Sequence, residues 1–394
     1  MTRSVEALVQ PQLLAWARQI AGLELEVAAK KADVKPDRLE SWERGERRPT
    51  IKQLRTLGNI YKRPIAVFYL PEPPVGFQAL RDFRRLPGTI VTTESPALRL
   101  QIRRAQDRRE LFLDLYQAVE GEPRAVSVTA ALSDDPEDIA GRIREFLGIQ
   151  YEDQVAWSAG YDAFNRWRAA LENAGALVFQ ATDVEVSEMR GFSVYGERFP
   201  AIVVNIKDSV RGRIFTMLHE LAHIVLRQGG LCNFRPEDAP TATTDEQRTE
   251  VFCNWVAGAT LVPRRFLLSE GVVPDKRRDA DWTDEDIRYL ADRYGASREV
   301  LLRRLLINGR ISDAFYQTKV EEIRREYAAA AGGKGGGFAP PHRVAVSSAG
   351  PLFVRLVLSS YYSDQITASD VADFLDVRLK HLGRIESEVM RRAS

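Results

Sequence analysis

Cysteine and histidine are scarce in this chain, whose 394 residues include two cysteines, Cys232 and Cys253, and four histidines. Two cysteines are too few for the disulfide framework of a small secreted domain. No apolar run is long enough to span a bilayer, and residues 1–6 lack the charged-then-apolar pattern of a signal peptide. We therefore expect a cytoplasmic protein with no membrane partner, in which both cysteines are ordinary buried thiols.

The chain also lacks a large net charge, since 56 Lys and Arg oppose 55 Asp and Glu. The charge is unevenly distributed, because residues 1–110 carry 21 Lys and Arg against 13 Asp and Glu. A basic segment is a common electrostatic signature of nucleic-acid binding. DNA is therefore the candidate partner of the N-terminal region, in a chain long enough for about two to three domains.

Two of the four histidines lie together in the segment FTMLHELAH, which ends at His223. On an α-helix, positions i and i+4 share a face, so His219 and His223 can bind one metal ion. Glu220 is rotated by about 100° from His219 and points to the open side of that metal, where a carboxylate can accept a proton from water. The spacing predicts a zinc-protease helix with Glu220 as its catalytic base.

The surroundings of this motif argue against two simpler interpretations. Residues 214–226 are almost continuously apolar, whereas a surface helix with an exposed His-Glu-His cluster would carry polar neighbours. A purely structural zinc site needs four protein ligands, and cysteine is scarce here. A catalytic zinc site with one open position is the favoured interpretation.

The third metal ligand must come from another segment. The three-histidine pattern HExxHxxGxxH is excluded, because Leu226 and Gly229 occupy the positions where it needs Gly and His. Glu250 opens a second apolar helix and is the predicted ligand, with Glu246 one turn earlier as the alternative. Asn254, one turn after Glu250, is placed either to hydrogen-bond a ligand histidine or to pack between helices.

Three segments resemble the ImmA/IrrE family of bacterial metallo-endopeptidases. They are FTMLHELAHIVL, EVFCNWVAGATLVP and the preceding MRGFSVYGERFPAIVVN. The likeness covers about Leu177 to Pro263. It implies three zinc ligands, namely His219, His223 and Glu250. It also implies Glu220 as the general base. The departures from the family pattern are Cys253, where the family often has Ala, and Leu-Val-Pro in place of Leu-Met-Pro, and neither involves a ligand.

Hydrophobic periodicity predicts four short helices in the N-terminal region, over residues 13–22, 24–31, 36–44 and 52–61. The words LESWERGERRPT and the segment around them resemble the XRE family of helix-turn-helix domains over residues 11–70. In that family the third helix enters the major groove, which implies DNA contacts from Lys35, Asp37, Arg38 and Ser41. Glu24 and Leu25 replace the polar pair that usually meets phosphate, so a helical module that docks protein is the alternative.

The predicted fold is α+β and mainly helical. Its parts are an N-terminal helix-turn-helix bundle (1–75), a basic helical linker (76–120), a zincin-like metallopeptidase core with a small β-sheet (121–275), a helical extension (276–330) and a helical C-terminal unit (338–394). A strand over residues 201–204 is expected to border the cleft and to pair with an extended substrate. The linker arginines, Arg103, Arg104, Arg108 and Arg109, form either a phosphate-facing stripe or a solvated helix face.

The C-terminal unit contains a weak sequence repeat of the N-terminal helix-turn-helix segment. Asp376-Val377-Arg378 repeats Asp33-Val34-Lys35, and Val371-Ala372 repeats Val27-Ala28. The repeat indicates a second helix-turn-helix-like unit, with an unrelated helical hairpin as the alternative.

The predicted function is that of a zinc-dependent endopeptidase whose N-terminal domain docks to DNA or to a partner. By resemblance, the substrate is a repressor or antitoxin, itself of helix-turn-helix type, that is cleaved in a stress or DNA-damage response. The alternative is a DNA-binding regulator or antitoxin whose metal site is vestigial or sensory, although the intact motif argues against it. Tyr195 and Arg190 are nearby polar candidates for stabilising an oxyanion.

Overall fold

The computed structural model describes residues 5–74, 81–82, 94–119, 125–157, 160–228, 230–232, 244–273, 279–330 and 340–393. The chain divides into two compact units. The first contains residues 1–79 and 90–104, and the second contains residues 80–89 and 105–394. The division falls within a long helix, α5, which is numbered in chain order and covers Pro96–Val119.

The first unit is helical. Its further helices are α1 (Pro11–Ile20), α2 (Leu25–Lys31), α3 (Pro36–Glu43) and α4 (Ile51–Tyr61), followed by a 3₁₀-helix (Ile65–Tyr69). Proline in the first turn of α1 and α3 fits a position whose N–H has no helical acceptor. Thr50 and Gln53 form a reciprocal capping box at the start of α4. The four predicted helices are therefore present, with small shifts at their ends.

The angle between α2 and α3 depends on a left-handed residue, Asp33, whose φ is 55°. Gly45, the last residue of the WERG motif, has a φ of 76°, a conformation that favours glycine. A Cβ at this position would lie 2.9 Å from Pro11. Apolar side chains from the helices then meet in one core, in which Leu39, Trp42 and Phe68 are fully buried. This arrangement is the predicted helix-turn-helix bundle.

The second unit contains a five-stranded mixed sheet. Its strands are β1 (Arg81–Asp82), β2 (Leu177–Ala181), β3 (Gly191–Val194), β4 (Ala201–Asn205) and β5 (Gly230–Cys232). Their order is β1-β5-β3-β4-β2, with β4 parallel to β2 and antiparallel to β3. Every residue of β2, β3 and β4 is buried, which explains why these strands are nearly continuous apolar runs.

The position of β4 contradicts one expectation about substrate. In the described part of the sheet, β4 is paired with β2 on one side and with β3 on the other. Its backbone N–H and C=O groups are therefore already used, and an extended peptide cannot add to it. The prediction that the strand over residues 201–204 pairs with substrate is wrong.

Helices surround this sheet. They are α6 (Pro136–Leu147), α7 (Tyr151–Ala156), α8 (Tyr161–Asn173), α9 (Val210–Val225), α10 (Asp245–Leu261), α11 (Arg264–Ser269), α12 (Asp284–Tyr294), α13 (Arg298–Ile307) and α14 (Asp313–Ala330). A short 3₁₀-helix covers Asp279–Asp281. Helix α9 packs on β3, β4, α8 and α10, so it lies at the centre of the largest apolar core.

The C-terminal part of the second unit contains α15 (Pro341–Ala349), α16 (Pro351–Tyr362), α17 (Ala368–Leu375), a 3₁₀-helix (Leu379–His381) and α18 (Leu382–Ala393). Helix α15 packs on β2 and on α18. Among the described residues, no single helix has the length and apolarity needed to cross a bilayer, and α15 with α16 meets that test only as a pair bent by 104°.

Two of the α5 arginines, Arg103 and Arg109, belong to neither of the two surfaces considered above. Arg103 is buried and donates from Nη2 to the Lys62 carbonyl at 2.8 Å within the first unit. Within the second unit, Arg109 donates from Nε to the Phe199 carbonyl at 2.9 Å. The guanidinium groups thus bind backbone carbonyls inside the protein, because loops packed on α5 supply acceptors that helical periodicity alone does not reveal.

Candidate metal and catalytic site

Helices α9 and α10 bring three ligand-type side chains together in the core of the second unit. The ligand atoms of His219, His223 and Glu250 all lie within 4.8 Å of one another. The Nε2 atoms of the two histidines are 3.1 Å apart, and Glu250 Oε1 lies 3.0 Å from His223 Nε2. All three side chains are buried. A protein has little physical reason to bury two imidazoles and a carboxylate face to face unless a further group binds between them.

The electrostatics of the cluster follow from this burial. Burial by itself raises the pKa of Glu250, but the neighbouring His223 and His219 lower it to about 2. Burial lowers the pKa of His219, but the charge of Glu250 and its hydrogen bond outweigh that effect and raise the pKa above the ordinary value. Glu250 is therefore a carboxylate at neutral pH, which is the form that binds a cation.

The donor set fits a zinc ion. Two imidazole nitrogens and one carboxylate oxygen are the protein ligands of hydrolytic zinc sites that leave a position open for water. The position of Asn254 also fits, since its Oδ1 lies 3.1 Å from His219 Nδ1. With Nδ1–H donating to that amide oxygen, the Nε2 lone pair of His219 faces His223 and Glu250. Of the two roles considered for Asn254, the hydrogen bond to a ligand histidine is the one that this contact supports.

Glu220 lies beside this cluster and is fully buried. Burial raises the pKa of its carboxyl group, and the opposing charges of His223 and His219 do not cancel that effect. A carboxyl group whose pKa is raised holds a proton more readily than an ordinary glutamate does. The location and chemistry of Glu220 are those expected of a general base beside a candidate metal site.

Gly191 is a site residue that the sequence reasoning did not identify. A Cβ at this position would clash with Thr216 of α9 and would lie 3.2 Å from Glu220 Oε1. Strand β3 can therefore pack directly against the Glu220 carboxylate only because residue 191 has no side chain. A glycine inside an otherwise apolar strand is the sequence signal for such a close approach.

The other candidates near the cluster are placed differently. Glu246, the alternative ligand, is exposed on α10, away from the buried histidines. Arg190 donates to Asp208 at 3.0 Å, so its guanidinium is already engaged in an ion pair. Tyr195 follows β3 and is half-buried. Burial raises the pKa of the Cys253 thiol well above its ordinary value, which fits an inert buried cysteine.

The DNA-contact candidates lie on α3 of the first unit and at its start. Lys35, Asp37 and Arg38 are exposed. Ser41 is buried, and its hydroxyl donates to the Arg38 carbonyl at 2.8 Å, so the prediction that Ser41 faces DNA is wrong. The hydroxyl bonds back to its own helix, a common alternative for serine. Arg44, which follows the same helix, is 62% exposed and forms an ion pair with Glu40.

Together, the sheet, the paired helices α9 and α10 and the buried His-Glu-His cluster define a peptidase-like domain of the HExxH class. Residues 172–306 match the family model Peptidase_M78, described as an IrrE N-terminal-like domain, and residues 14–68 match the helix-turn-helix model HTH_3. The two matches follow the order along the chain of the two segments that resemble these families. No curated protein shows a significant match to this chain. The three residues of the buried cluster and the neighbouring Glu220 all lie within the first match.

Proposed function

We propose that this protein is a zinc-dependent, site-specific endopeptidase. The observation that carries the proposal is the buried carboxylate of Glu220 beside the converging ligand atoms of His219, His223 and Glu250. A protein that only sensed a metal would need the three ligands, but it would have no use for a second buried carboxylate at their side. The match of residues 172–306 to a peptidase family supports the same function.

The residues divide the chemistry among them. His219, His223 and Glu250 would hold the zinc, which when bound supplies a Lewis acid for the scissile carbonyl and for water. Glu220 accepts a proton from the attacking water and later donates it to the leaving amine. Asn254 keeps the His219 ring in one orientation through its 3.1 Å contact to Nδ1.

The burial of the site supports a specific rather than a degradative activity. Glu220 and His223 have no exposed surface, and His219 is only 5% exposed. A peptide must therefore fit closely against α9 and α10 to bring its carbonyl to the cluster, and water is largely excluded around it. Few sequences in folded proteins satisfy such a requirement, which is consistent with cleavage of one partner at one site.

The proposed substrate is a transcriptional repressor or an antitoxin, itself of helix-turn-helix type, which the enzyme cuts in response to stress or DNA damage. The N-terminal domain of the chain supports this proposed substrate. A helix-turn-helix over residues 14–68 gives the peptidase a means of docking to DNA or to a partner. Docking would raise the local concentration of the substrate without any additional contact at the catalytic site.

The proposal is tested by Glu220→Gln in cells exposed to DNA damage and other stresses. The variant should keep its fold and its metal, while cleavage falls by at least about 10²-fold to 10⁴-fold, as expected for the loss of a general base. A partner protein that the wild type shortens should then accumulate intact in quantitative proteomics. Glu246→Gln, which changes an exposed carboxylate on α10, is the matched control and should behave as wild type.

The same experiment also tests the alternative function. If the wild type and Glu220→Gln leave identical proteomes under every stress and repress the same promoter equally, the peptidase proposal fails. The chain would then be a DNA-binding regulator or antitoxin whose metal site has a sensory or vestigial role.

A further inference from the structure

The segment that joins α17 to α18 repeats the backbone of the segment that joins α2 to α3. Asp376 follows α17 with a φ of 53°, and Asp33 lies between α2 and α3 with a φ of 55°. The next amide donates to the carbonyl five residues earlier in both segments, at 2.9 Å from Val377 and at 3.0 Å from Val34. Both segments therefore make the same left-handed turn at a non-glycine residue, a conformation that is uncommon.

The match continues beyond the turn, where the start of α3 corresponds to the 3₁₀-helix Leu379–His381 that leads into α18. The amide of His381 donates to the Arg378 carbonyl at 2.9 Å, and the amide of Arg38 donates to the Lys35 carbonyl at 3.0 Å. Apolar burial agrees at two pairs of equivalent positions and differs at others, since Leu39 is buried whereas Leu382 is partly exposed. The equivalent positions Ala28 and Val371 before the turn, and Trp42 and Ile385 after it, are all buried. The weak sequence repeat thus corresponds to a repeat of structure.

The two segments differ in charge on the surface that a helix-turn-helix presents to DNA. The positions equivalent to Lys35, Asp37, Arg38 and Ser41 are Arg378, Lys380, His381 and Arg384. The first set contains an acid and a buried serine, whereas the second set has three permanent cations and a histidine. Arg378, Lys380 and Arg384 are all exposed, and residues 377–385 contain no acid.

A further histidine contributes to this basic cluster. Desolvation, followed by the charges of Lys380 and Arg384 and by those of His342 and Arg378, lowers the pKa of His381. His342 comes from α15, so the cluster draws on two separate segments of the fold. Like charges that are gathered on one surface repel one another. A polyanion that binds there relieves this repulsion.

We propose that α17, the turn at Asp376 and α18 form a second helix-turn-helix, in which Arg378, Lys380 and Arg384 bind the phosphate backbone of duplex DNA. The backbone match selects duplex DNA over other polyanions, because the helix-turn-helix geometry places the start of its second helix at the major groove. The C-terminal segment is better suited to phosphate than the N-terminal one, since none of its equivalent positions carries an acid.

The test measures binding of the full chain to duplex DNA as a function of salt concentration. The triple variant Arg378→Ala, Lys380→Ala, Arg384→Ala removes three expected phosphate contacts. It should weaken binding at least about tenfold at 0.1 M salt, and it should lower the slope of log K against log salt by about 2 to 3. Circular dichroism and thermal melting should match the wild type, because all three side chains are exposed.

The matched control removes the same charge from other exposed arginines of the second unit. Arg166→Ala, Arg264→Ala, Arg325→Ala should leave the salt slope within about one unit of the wild-type value. An equal loss in both triple variants would overturn the proposal, since overall charge alone would then explain it. An unchanged slope in the first variant, a full chain that binds no duplex DNA at low salt, or equal affinity for anionic vesicles would overturn it as well.

Discussion

The candidate metal site of α9 and α10 and the exposed surface of α3 use charged side chains in opposite surroundings. At the candidate metal site, Glu250 is 1% exposed and its pKa is lowered to about 2 by the two histidines beside it. On α3, Asp37 and Arg38 are exposed to solvent. The same kinds of functional group are thus strongly coupled in one region and screened by water in the other.

This difference has a consequence for how each region responds to mutation. A buried ligand cannot be removed without leaving its partners uncompensated, so single changes in the metal site should have large effects. An exposed cation contributes one phosphate contact among several, so single changes on α3 should have small, salt-dependent effects. The effects of mutation should therefore be largest among the buried ligands and smallest on the exposed surface of α3.

The largest effect is expected for Glu250→Ala. Wild-type protein should hold about one zinc per chain, and the variant should bind zinc more than about 100-fold more weakly, because it loses the only carboxylate in the ligand cluster. Equilibrium titration against a chelator measures the affinity. Glu246→Ala, one turn earlier in the exposed first turn of α10, should bind zinc as the wild type does. Full zinc affinity in Glu250→Ala would show that another residue is the third ligand.

Gly191→Ala should be the next most damaging change. The added methyl group would clash with Thr216 and press on Glu220, so the free energy of unfolding should fall by about 1 to 3 kcal/mol, the usual cost of overpacking. Chemical denaturation provides the measurement. Gly141→Ala is the matched control, because a Cβ on that exposed helical glycine meets nothing within 4 Å and should be neutral or stabilising. Equal stability of the two variants would refute the close packing of β3 on α9.

Asn254→Ala should have an intermediate effect. The variant keeps all three ligands but loses the acceptor 3.1 Å from His219 Nδ1, so zinc affinity should fall by about 10-fold to 100-fold. Asn254→Asp restores an acceptor and should recover most of the affinity, which a role in helix packing alone would not explain. If both variants bind zinc as tightly as the wild type, the contact with His219 does not orient the ring.

The smallest effect is expected for Arg38→Ala. If α3 contacts DNA, the full chain should lose about one phosphate contact, and the slope of log K against log salt should fall by about 0.9. Fluorescence anisotropy with duplex DNA at several salt concentrations measures this slope. Arg55→Ala, an exposed arginine on α4, is the control. Identical slopes for the two variants would favour the interpretation of the first unit as a module that docks protein.

The sequence was most informative where function depends on local spacing. The four-residue interval between His219 and His223 already places both imidazoles on one face of α9. Glu246 and Glu250 are also four residues apart and share a face of α10, so spacing left both open, and only the burial of Glu250 and the exposure of Glu246 distinguish them. Capping residues such as Thr50 also set helix boundaries locally. Local rules therefore recovered the mainly helical α+β fold and the residues that meet in the core.

Features that depend on tertiary contacts were not predictable in the same way. The burial of Ser41 and the use of both edges of β4 arise from neighbours far away in the sequence. The arginines of α5 likewise find backbone carbonyls in distant loops, such as that of Phe199. Charge and periodicity describe one segment at a time, so they assign these groups to solvent or to a ligand when the fold uses them internally.

The central claim is that His219, His223 and Glu250 bind a zinc ion and that Glu220 stands beside it without binding it. Zinc K-edge X-ray absorption of the zinc-loaded full chain tests this claim most directly. We expect two imidazole nitrogens and additional oxygen ligands at about 2.0 to 2.2 Å, with the same spectrum for Glu220→Gln. A sulfur ligand at about 2.3 Å, or a changed set of ligands in Glu220→Gln, would contradict the account.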